Sequence, residues 1–250
     1  MATHARPLSR RWTLAALTLT LGLACSQGAD AAAPAAGADA ASIAKAARTS
    51  GQEPTDFHGE AASPEVRTVV RWVTSSGDNQ GLPFVIVDKV NAKVFVFDRR
   101  GGLRGAAAAL LGLAHGDESV PGIGHRKLAT IKPGERTTPA GRFKAALGHD
   151  FEQDILWIDY DAALSMHRVI VGNPKDHRAE RLASPSPLDN RISYGCINVP
   201  ASFYDGIVVP AFTATVGIVY ILPETKPLRD VFPVAAPQAL LKTAGDAPAP

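Results

Sequence analysis

The chain has 250 residues, of which 46% are hydrophobic and 20% are charged, a balance typical of a globular domain with extensions. Its 26 basic and 24 acidic residues give a formal net charge of +2. This near-neutral charge, with no basic stripe along the chain, argues against nucleic acid as a partner.

The first 25 residues have the composition of an export signal. Residues 1–11 carry three arginines and no acid, and residues 12–24 are mostly apolar. A basic head and a short apolar run are typical of a secretory signal peptide, and the run is too short for a transmembrane helix. We therefore expect an exported protein of the periplasm or cell envelope. Without residues 1–24, the chain has 23 basic and 24 acidic residues and a formal net charge of −1.

Two short stretches leave the processing of this signal open. Residues 9–12, SRRW, resemble the start of a twin-arginine signal, although Thr13 stands where that pattern has an apolar residue. Residues 21–25, LGLAC, resemble a lipoprotein cleavage site, with Gly22 in place of a branched apolar residue. A lipid anchor on Cys25 and simple cleavage at a nearby alanine both fit this stretch.

Residues 26–79 are expected to form a linker before the folded domain. Residues 26–64 are rich in Ala, Gly, Ser and Pro and hold few large apolar side chains. Such a segment cannot bury enough surface to offset the entropy of ordering it. A short helix is predicted near residues 66–74, because apolar residues at positions 66, 69, 70 and 73 follow helical spacing.

Residues 80–224 predict one mainly β domain. Residues 84–87 and 93–97 are apolar runs on either side of a turn, which predicts a hairpin. β-Branched and aromatic residues separated by turn residues predict further strands. These strands are expected at residues 106–113, 142–147, 155–160, 163–170 and 216–222.

One clear helix is predicted within this β domain. It begins near Pro200, which suits a first helical turn, and continues through residue 209. Its apolar face is formed by Phe203, Tyr204, Ile207 and Val208. Residues 225–250 return to Pro and Ala and are expected to form a loose tail.

Cys196 is the one cysteine outside the signal region. Because exported proteins usually pair their cysteines, a lone thiol is either reactive or a buried core residue. Cys196 precedes the predicted helix, whose positive N-terminal end favours a thiolate. It also follows Gly195, which permits a tight turn. Such a turn can aim consecutive amide N–H groups at one point, as an oxyanion hole for acyl transfer requires.

A cysteine nucleophile needs a base, and histidine has a suitable pKa. His167 lies within a predicted strand, so its position can be fixed. A lone strand histidine is also compatible with a structural role, but the thiol downstream favours the base. The other histidines beyond the signal fall in the linker, in loops or at a strand end: His58, His115, His125, His149 and His177.

No cofactor and no metal are expected. The sequence contains no CxxC pair, no HExxH motif and no Gly-rich phosphate loop.

Two short motifs carry a family resemblance. Residues 193–198 read SYGCIN and residues 137–143 read TTPAGRF. The first resembles the signature of the L,D-transpeptidases (the YkuD family), which is Ser-His-Gly-Cys, an apolar residue, then Arg or Asn, with a histidine upstream. The second is similar to that family's Thr-Pro-x-Gly-x-Phe segment, and the hairpin at 84–97 is similar to its first strands. The resemblance covers about residues 80–224.

The resemblance implies a β-sandwich with a short helix after the catalytic cysteine. Cys196 would be the nucleophile and His167 its general base, with the carbonyl of Arg168 orienting the imidazole. The amides of Tyr194, Gly195 and Cys196 would form the oxyanion hole.

Ser193 and Asn198 would brace this turn. Tyr194 is a departure, because the family usually has His at that position. A phenol can still donate one hydrogen bond, but the change puts rate and substrate in question.

The implied substrate is a peptidoglycan stem tetrapeptide. Attack at the carbonyl of its third residue, a diamino acid, would expel the terminal D-alanine and leave a thioester. An amine of a second stem peptide or of an acceptor protein would resolve the thioester, with a role in wall cross-linking, remodelling and cell shape. Water in that step would give an L,D-carboxypeptidase. A non-catalytic peptidoglycan-binding module is a further alternative, although such a module needs neither Cys196 nor His167.

The connection from His167 to Ser193 is longer than is usual in the family. A loop of this length is often a functional lid. Its arginines, Arg178, Arg181 and Arg191, are candidates to contact carboxylates of the stem peptide. A solvated charged loop is the alternative.

Overall fold

The computed structural model describes residues 55–150 and 153–234. The predicted signal at residues 1–25, the lipid anchor at Cys25 and the tail beyond residue 234 lie outside the described residues. No helix in the described part of the chain has the length and apolar character to cross a membrane.

A helix, α1, spans Pro64–Ser76. It begins there because Ser63 Oγ accepts the N–H of Val66 at 3.2 Å and Pro64 fits the first helical position. It ends at Gly77, whose φ of 69° is the left-handed geometry that glycine adopts without strain. The predicted linker therefore contains a helix whose buried valines pack on the β domain, rather than a free spacer.

The domain is a large mixed β-sheet with one two-stranded companion, so the prediction of a mainly β fold is confirmed. The large sheet contains β1 (Phe84–Asp88), β2 (Lys93–Phe97), β3 (Leu103–Ala108), β5 (Gly141–Asp150), β6 (Gln153–Asp159), β7 (Leu164–Arg168), β9 (Ile197–Val199) and β10 (Val216–Ile221). Their order across the sheet is β3-β2-β1-β10-β5-β6-β7-β9. The companion sheet pairs β4 (Leu111–Gly112) with β8 (Arg191–Ser193) in parallel.

Both faces of the central strands are buried, which is why β1 and β2 read as continuous apolar runs. One face carries an aromatic cluster, with Phe84, Phe95 and Phe97 packed beneath α1. Val85 and Val94, on the opposite face, share a second core with residues of β6, β7 and β9. The strands β6, β7 and β9 lie at the other end of the strand order from β1 and β2, yet both groups share this core. The sheet therefore folds over itself into two layers.

Two predictions differ from the structure by more than the shift of an end by a few residues. The stretch predicted as one strand over 106–113 is interrupted between β3 and β4, where Leu110 turns to pair with Asn198. The start of the predicted tail packs under the sheet, since Phe232 is 1% exposed and contacts the aromatic cluster.

The predicted helix after Cys196 is present and is called α3. It is continuous over Ala201–Phe203, a π-helical turn at Tyr204–Val208, and Val209–Phe212. Pro210, which has no N–H for the ordinary helical bond, lies just after the π turn. The N–H of Val209 instead reaches the carbonyl of Tyr204, five residues back. A shorter helix, α2, spans Arg178–Ala183 in the long loop.

Candidate active site

Parallel pairing of β7 with β9 builds the site. His167 lies opposite Asn198 in this register, and Met166 lies opposite Ile197. Neighbouring strands lie about 4.8 Å apart, so Cys196, which immediately precedes β9, is brought beside β7. Residues about 30 positions apart in sequence therefore meet at one sheet edge.

The imidazole of His167 is held on both sides. Its Nδ1 lies 2.7 Å from the carbonyl oxygen of Arg168, so the neutral ring carries its proton on Nδ1 and donates it to that carbonyl. Its Nε2 therefore presents a lone pair, and the side-chain amide of Asn198 lies 3.3 Å away. This tautomer is the one that a general base at Nε2 requires.

The thiol of Cys196 is contacted by two residues of the β6–β7 hairpin. The Ser165 hydroxyl donates to Sγ at 3.5 Å, and Sγ donates to the Ala163 carbonyl at 3.4 Å. Burial alone would raise the pKa of the thiol, but hydrogen bonding with His167 and Ser165 outweighs it, so the Cys196 pKa lies below its ordinary value.

The charge of the thiolate acts back on the base. Burial alone would lower the pKa of His167, but its interactions with Cys196 and with the Arg168 carbonyl raise that pKa above its ordinary value. A lowered thiol pKa beside a raised imidazole pKa favours a thiolate–imidazolium pair.

The source of thiol activation differs from the sequence prediction. The strand β9 separates Cys196 from the start of α3, a distance of about 10 Å at 3.3 Å per residue. The dipole of a helix acts mainly within its first turn. The predicted helix-dipole effect is therefore wrong, and the neighbouring side chains of His167 and Ser165 replace it.

Ser165 was missed by the sequence reasoning. It is buried at 4% exposure and precedes His167 by two positions on the same strand. Because side chains two apart on a strand share a face, the spacing Ser165-x-His167 was an available signal for a second group facing the thiol.

The turn before Cys196 is braced by Ser193 and Asn198. Ser193 Oγ donates to the Cys196 carbonyl at 2.6 Å and accepts the N–H of Gly195 at 3.0 Å. The Asn198 amide also donates to the Cys196 carbonyl, at 3.3 Å.

The candidate oxyanion hole is smaller than the resemblance implied. The N–H of Gly195 is already used by Ser193 and is not free for substrate. Within residues 55–150 and 153–234, the N–H groups of Tyr194 and Cys196 donate no hydrogen bond. Two amides of the three therefore remain as candidate donors.

The three loop arginines have different surroundings. Arg178 donates to Asn198 Oδ1 at 2.9 Å and pairs with Asp176 at 3.1 Å, which places its guanidinium beside the site. Arg181 donates to the backbone carbonyls of Asp176 and Asp189, which holds the loop itself together.

Arg191 is buried at 8% exposure. Its guanidinium pairs with Glu224 and donates to the carbonyl of Lys89 at 2.8 Å. The predicted contact of Arg191 with a substrate carboxylate does not fit this position, because its guanidinium is buried and already bound to Glu224 and to the Lys89 carbonyl. The Arg168 side chain is likewise held by Asp154 and Asp205, so only the backbone of Arg168 faces His167.

Two clefts meet at Cys196. One has a volume of about 420 Å³ and lies between Ala163 and the segment 119–131. The other, about 330 Å³, is lined by His167, Asn198 and the long loop with Arg178. The long loop thus borders the second cleft, and its role as a lid stays a prediction. The segment 119–131 was not singled out from the sequence.

Tyr194 stands between these clefts and lines both. Its side chain is 37% exposed, and the guanidinium of Arg136 lies 3.9 Å from the centre of its ring. The ring therefore lies at the border of the two clefts that contain Cys196, where it makes a cation–π contact with Arg136. No group of three or more His, Cys, Asp or Glu side chains in the described ranges is arranged to hold a metal ion.

Comparison with known proteins gives distant structural matches only. No protein-family model matches the chain, and no curated protein sequence does. The cell-shape protein Pgp2 from Campylobacter jejuni is 15% identical, with a TM-score of 0.36 over 58% of this chain and 49% of that chain. The chain thus spans about half the length of that protein.

Two further structures are similar at the same level. The L,D-transpeptidase LdtMt1, solved in complex with imipenem, is 13% identical, with a TM-score of 0.33 over 56% of this chain and 58% of that chain. The catalytic domain of the L,D-transpeptidase from E. faecium is 18% identical, with a TM-score of 0.33 over 56% of this chain and 95% of that domain.

Proposed function

We propose that this chain is an L,D-transpeptidase that forms a thioester with peptidoglycan stem peptides. The observation that carries the proposal is the arrangement at Cys196. Its thiol has a lowered pKa and interacts with an imidazole whose Nδ1 donates to a backbone carbonyl. Nucleophile, base and orienting group are the three parts that covalent acyl transfer needs.

The first half of the reaction begins when the thiol proton moves to Nε2 of His167. The thiolate attacks the carbonyl carbon of the third stem residue, and the resulting oxyanion accepts hydrogen bonds from the amides of Cys196 and Tyr194. The imidazolium then gives its proton to the departing amine of D-alanine as the C–N bond breaks. A thioester between Cys196 and the tripeptide remains.

The second half reverses these roles. His167 accepts a proton from the attacking amine, the new amide forms, and the Cys196 thiol is released with that proton. The two clefts support a two-substrate reaction, because each reaches the thiol from a different side. The acceptor amine belongs to a second stem peptide or to a protein, and the reaction takes place in the periplasm or cell envelope.

Intact mass spectrometry tests this proposal. The purified protein is incubated with a stem tetrapeptide beside Cys196→Ala and His167→Ala. A transient adduct with the mass of the tripeptidyl group, absent in Cys196→Ala and much slower in His167→Ala, is the expected result. Added amine should convert it to a cross-linked product; conversion to free tripeptide alone would identify a carboxypeptidase.

The binding-module alternative gives a different result. A folded protein that binds the tetrapeptide but yields neither adduct nor D-alanine would overturn the catalytic proposal. Tyr194, which stands where the family usually has His, would then be the first residue to change, as Tyr194→His.

A further inference from the structure

The hydroxyl of Thr138 has both of its hydrogen-bonding roles fixed. It donates to the carbonyl of Gly195 at 2.7 Å and accepts the N–H of Gly112 at 2.9 Å. Thr138 is fully buried. A carbonyl oxygen can only accept and an N–H can only donate, so the one proton of the hydroxyl goes to the Gly195 carbonyl and a lone pair of the hydroxyl faces Gly112.

This bond fixes the peptide that joins Gly195 to Cys196. In a trans peptide the C=O and N–H groups lie in one plane and point in opposite directions. Holding the Gly195 carbonyl toward Thr138 therefore turns the N–H of Cys196 away from Thr138. That N–H is one of the two candidate oxyanion donors.

The backbone of the Thr137–Thr138 segment also lies close to the turn at Gly195. Gly195 has a φ of 137°, and a Cβ at this position would lie 2.8 Å from the carbonyl oxygen of Thr137. Glycine at this position therefore allows the turn to lie this close to the Thr137–Thr138 segment. The fit depends on where that segment sits.

A buried lysine sets the position of the segment. Lys89 is fully buried, and its ammonium donates to the Thr138 carbonyl at 2.9 Å and to Asp117 at 2.7 Å. Asp117 in turn accepts the backbone N–H groups of Glu224, Thr225 and Lys226, each at 2.8 Å. A buried ion pair adds little net stability, but here it joins four chain segments behind the turn, at Lys89, Asp117, Thr138 and residues 224–226.

We propose that Thr138 is a positioning residue for acyl transfer, which holds the Cys196 amide at the oxyanion while Lys89 and Asp117 hold Thr138. This inference rests on the proposed thioester chemistry at Cys196. It assigns a role to Thr138 of the Thr-Thr-Pro motif, and it makes the oxyanion geometry depend on the buried ion pair of Lys89 and Asp117.

The test compares two reactions of the same thiol in wild type, Thr138→Val and Thr138→Ser. Alkylation by iodoacetamide forms no oxyanion, whereas acylation by p-nitrophenyl acetate passes through one. Thr138→Val keeps the shape and loses the hydroxyl. We expect it to slow acylation about ten- to hundredfold. The alkylation rate should change less than about twofold, and the pH midpoint of alkylation should shift by less than about 0.3 unit. Thr138→Ser, which keeps the hydroxyl, should acylate within about threefold of wild type.

Equal loss of both reactions in Thr138→Val, or loss of neither, would overturn the inference, and so would a Thr138→Ser protein as slow as Thr138→Val. Thermal unfolding of each variant checks that the compared proteins are folded. The ester also separates this inference from the proposed function. A wild-type protein that reacts with the ester but never with a stem tetrapeptide would refute the proposed substrate and leave the role of Thr138 intact.

Discussion

The guanidinium of Arg136 lies 3.9 Å from the centre of the Tyr194 ring, directly beside the candidate nucleophile. Arg136 is itself held by the carbonyl of Ile131, through Nη2 at 3.1 Å. Arg136 thus connects the Tyr194 ring, which lines both clefts, to Ile131 in the segment 119–131, which forms one wall of the first cleft.

Loss of this contact should weaken substrate binding more than chemistry. In Arg136→Ala, the ring loses a cation–π interaction worth about 0.5–1 kcal/mol. We expect KM for D-alanine release to rise roughly two- to fivefold with kcat nearly unchanged. Arg136→Lys keeps the charge and serves as the matched control. A fall in kcat without a change in KM would contradict this account of Tyr194.

Removal of the Ser165 hydroxyl should make the thiol less acidic. A hydrogen bond to a charged group contributes about 1.5–3 kcal/mol, so we expect the pH midpoint of Cys196 alkylation in Ser165→Ala to rise by about one unit. Alkylation rates measured across pH give this midpoint directly. Ser119→Ala, in the wall of the first cleft, is the control. An unchanged midpoint in Ser165→Ala would mean that His167 alone activates the thiol.

Arg178 should tune the base through Asn198 and through its charge. Its positive charge opposes protonation of His167, so Arg178→Met should raise the His167 pKa further. The loop control is Arg181→Met, whose guanidinium contacts backbone carbonyls of the same loop. Titration of the imidazole by NMR measures both variants. A lowered His167 pKa in Arg178→Met, or an equal shift in Arg181→Met, would argue against this role.

The buried carboxylate of Asp117 should make folding stability depend on pH. Burial would raise its pKa, but bonds from Lys89, Thr225 and Glu224 outweigh burial and hold that pKa far below its ordinary value. A lowered folded-state pKa stabilises the fold above the unfolded value of about 3.9 and loses that contribution as pH falls below it. Wild-type Tm should therefore fall steeply below about pH 4.

The matched variant is Asp117→Asn, which removes the titrating group. We expect it to cost about 3–5 kcal/mol at neutral pH, because the buried charge of Lys89 loses the nearer of its two acidic partners and keeps only Glu224, at 3.5 Å. Its Tm should also depend less on pH between about 5 and 3. Equal slopes in both proteins would place the acid sensitivity elsewhere.

Local patterns predicted the elements whose signals lie within a few residues. The apolar runs at 84–87 and 93–97 form β1 and β2, and the apolar face around Phe203 and Tyr204 forms α3. The three-residue strands β8 and β9 were not predicted, because their pairing depends on partners far away in sequence.

The site divides in the same way. The proximity of Cys196 and His167 followed from one unpaired thiol and one strand histidine, together with a motif resemblance. Lys89 and Arg191 could not be placed from sequence, since charged residues in turns and loops are normally solvated. Their burial depends on acids, Asp117 and Glu224, supplied by distant segments.

The packing of α1 and Phe232 on the sheet decides where the chain can be cut. A fragment that begins at residue 80 and ends at residue 224 would leave the aromatic side of β1, β2 and β10 open to water, with Phe84, Phe95 and Tyr220 at its surface. An apolar surface of that kind leads to self-association. Residues 55–234, by contrast, carry their own cover on that side, and this longer segment is the unit expected to remain monodisperse when expressed alone.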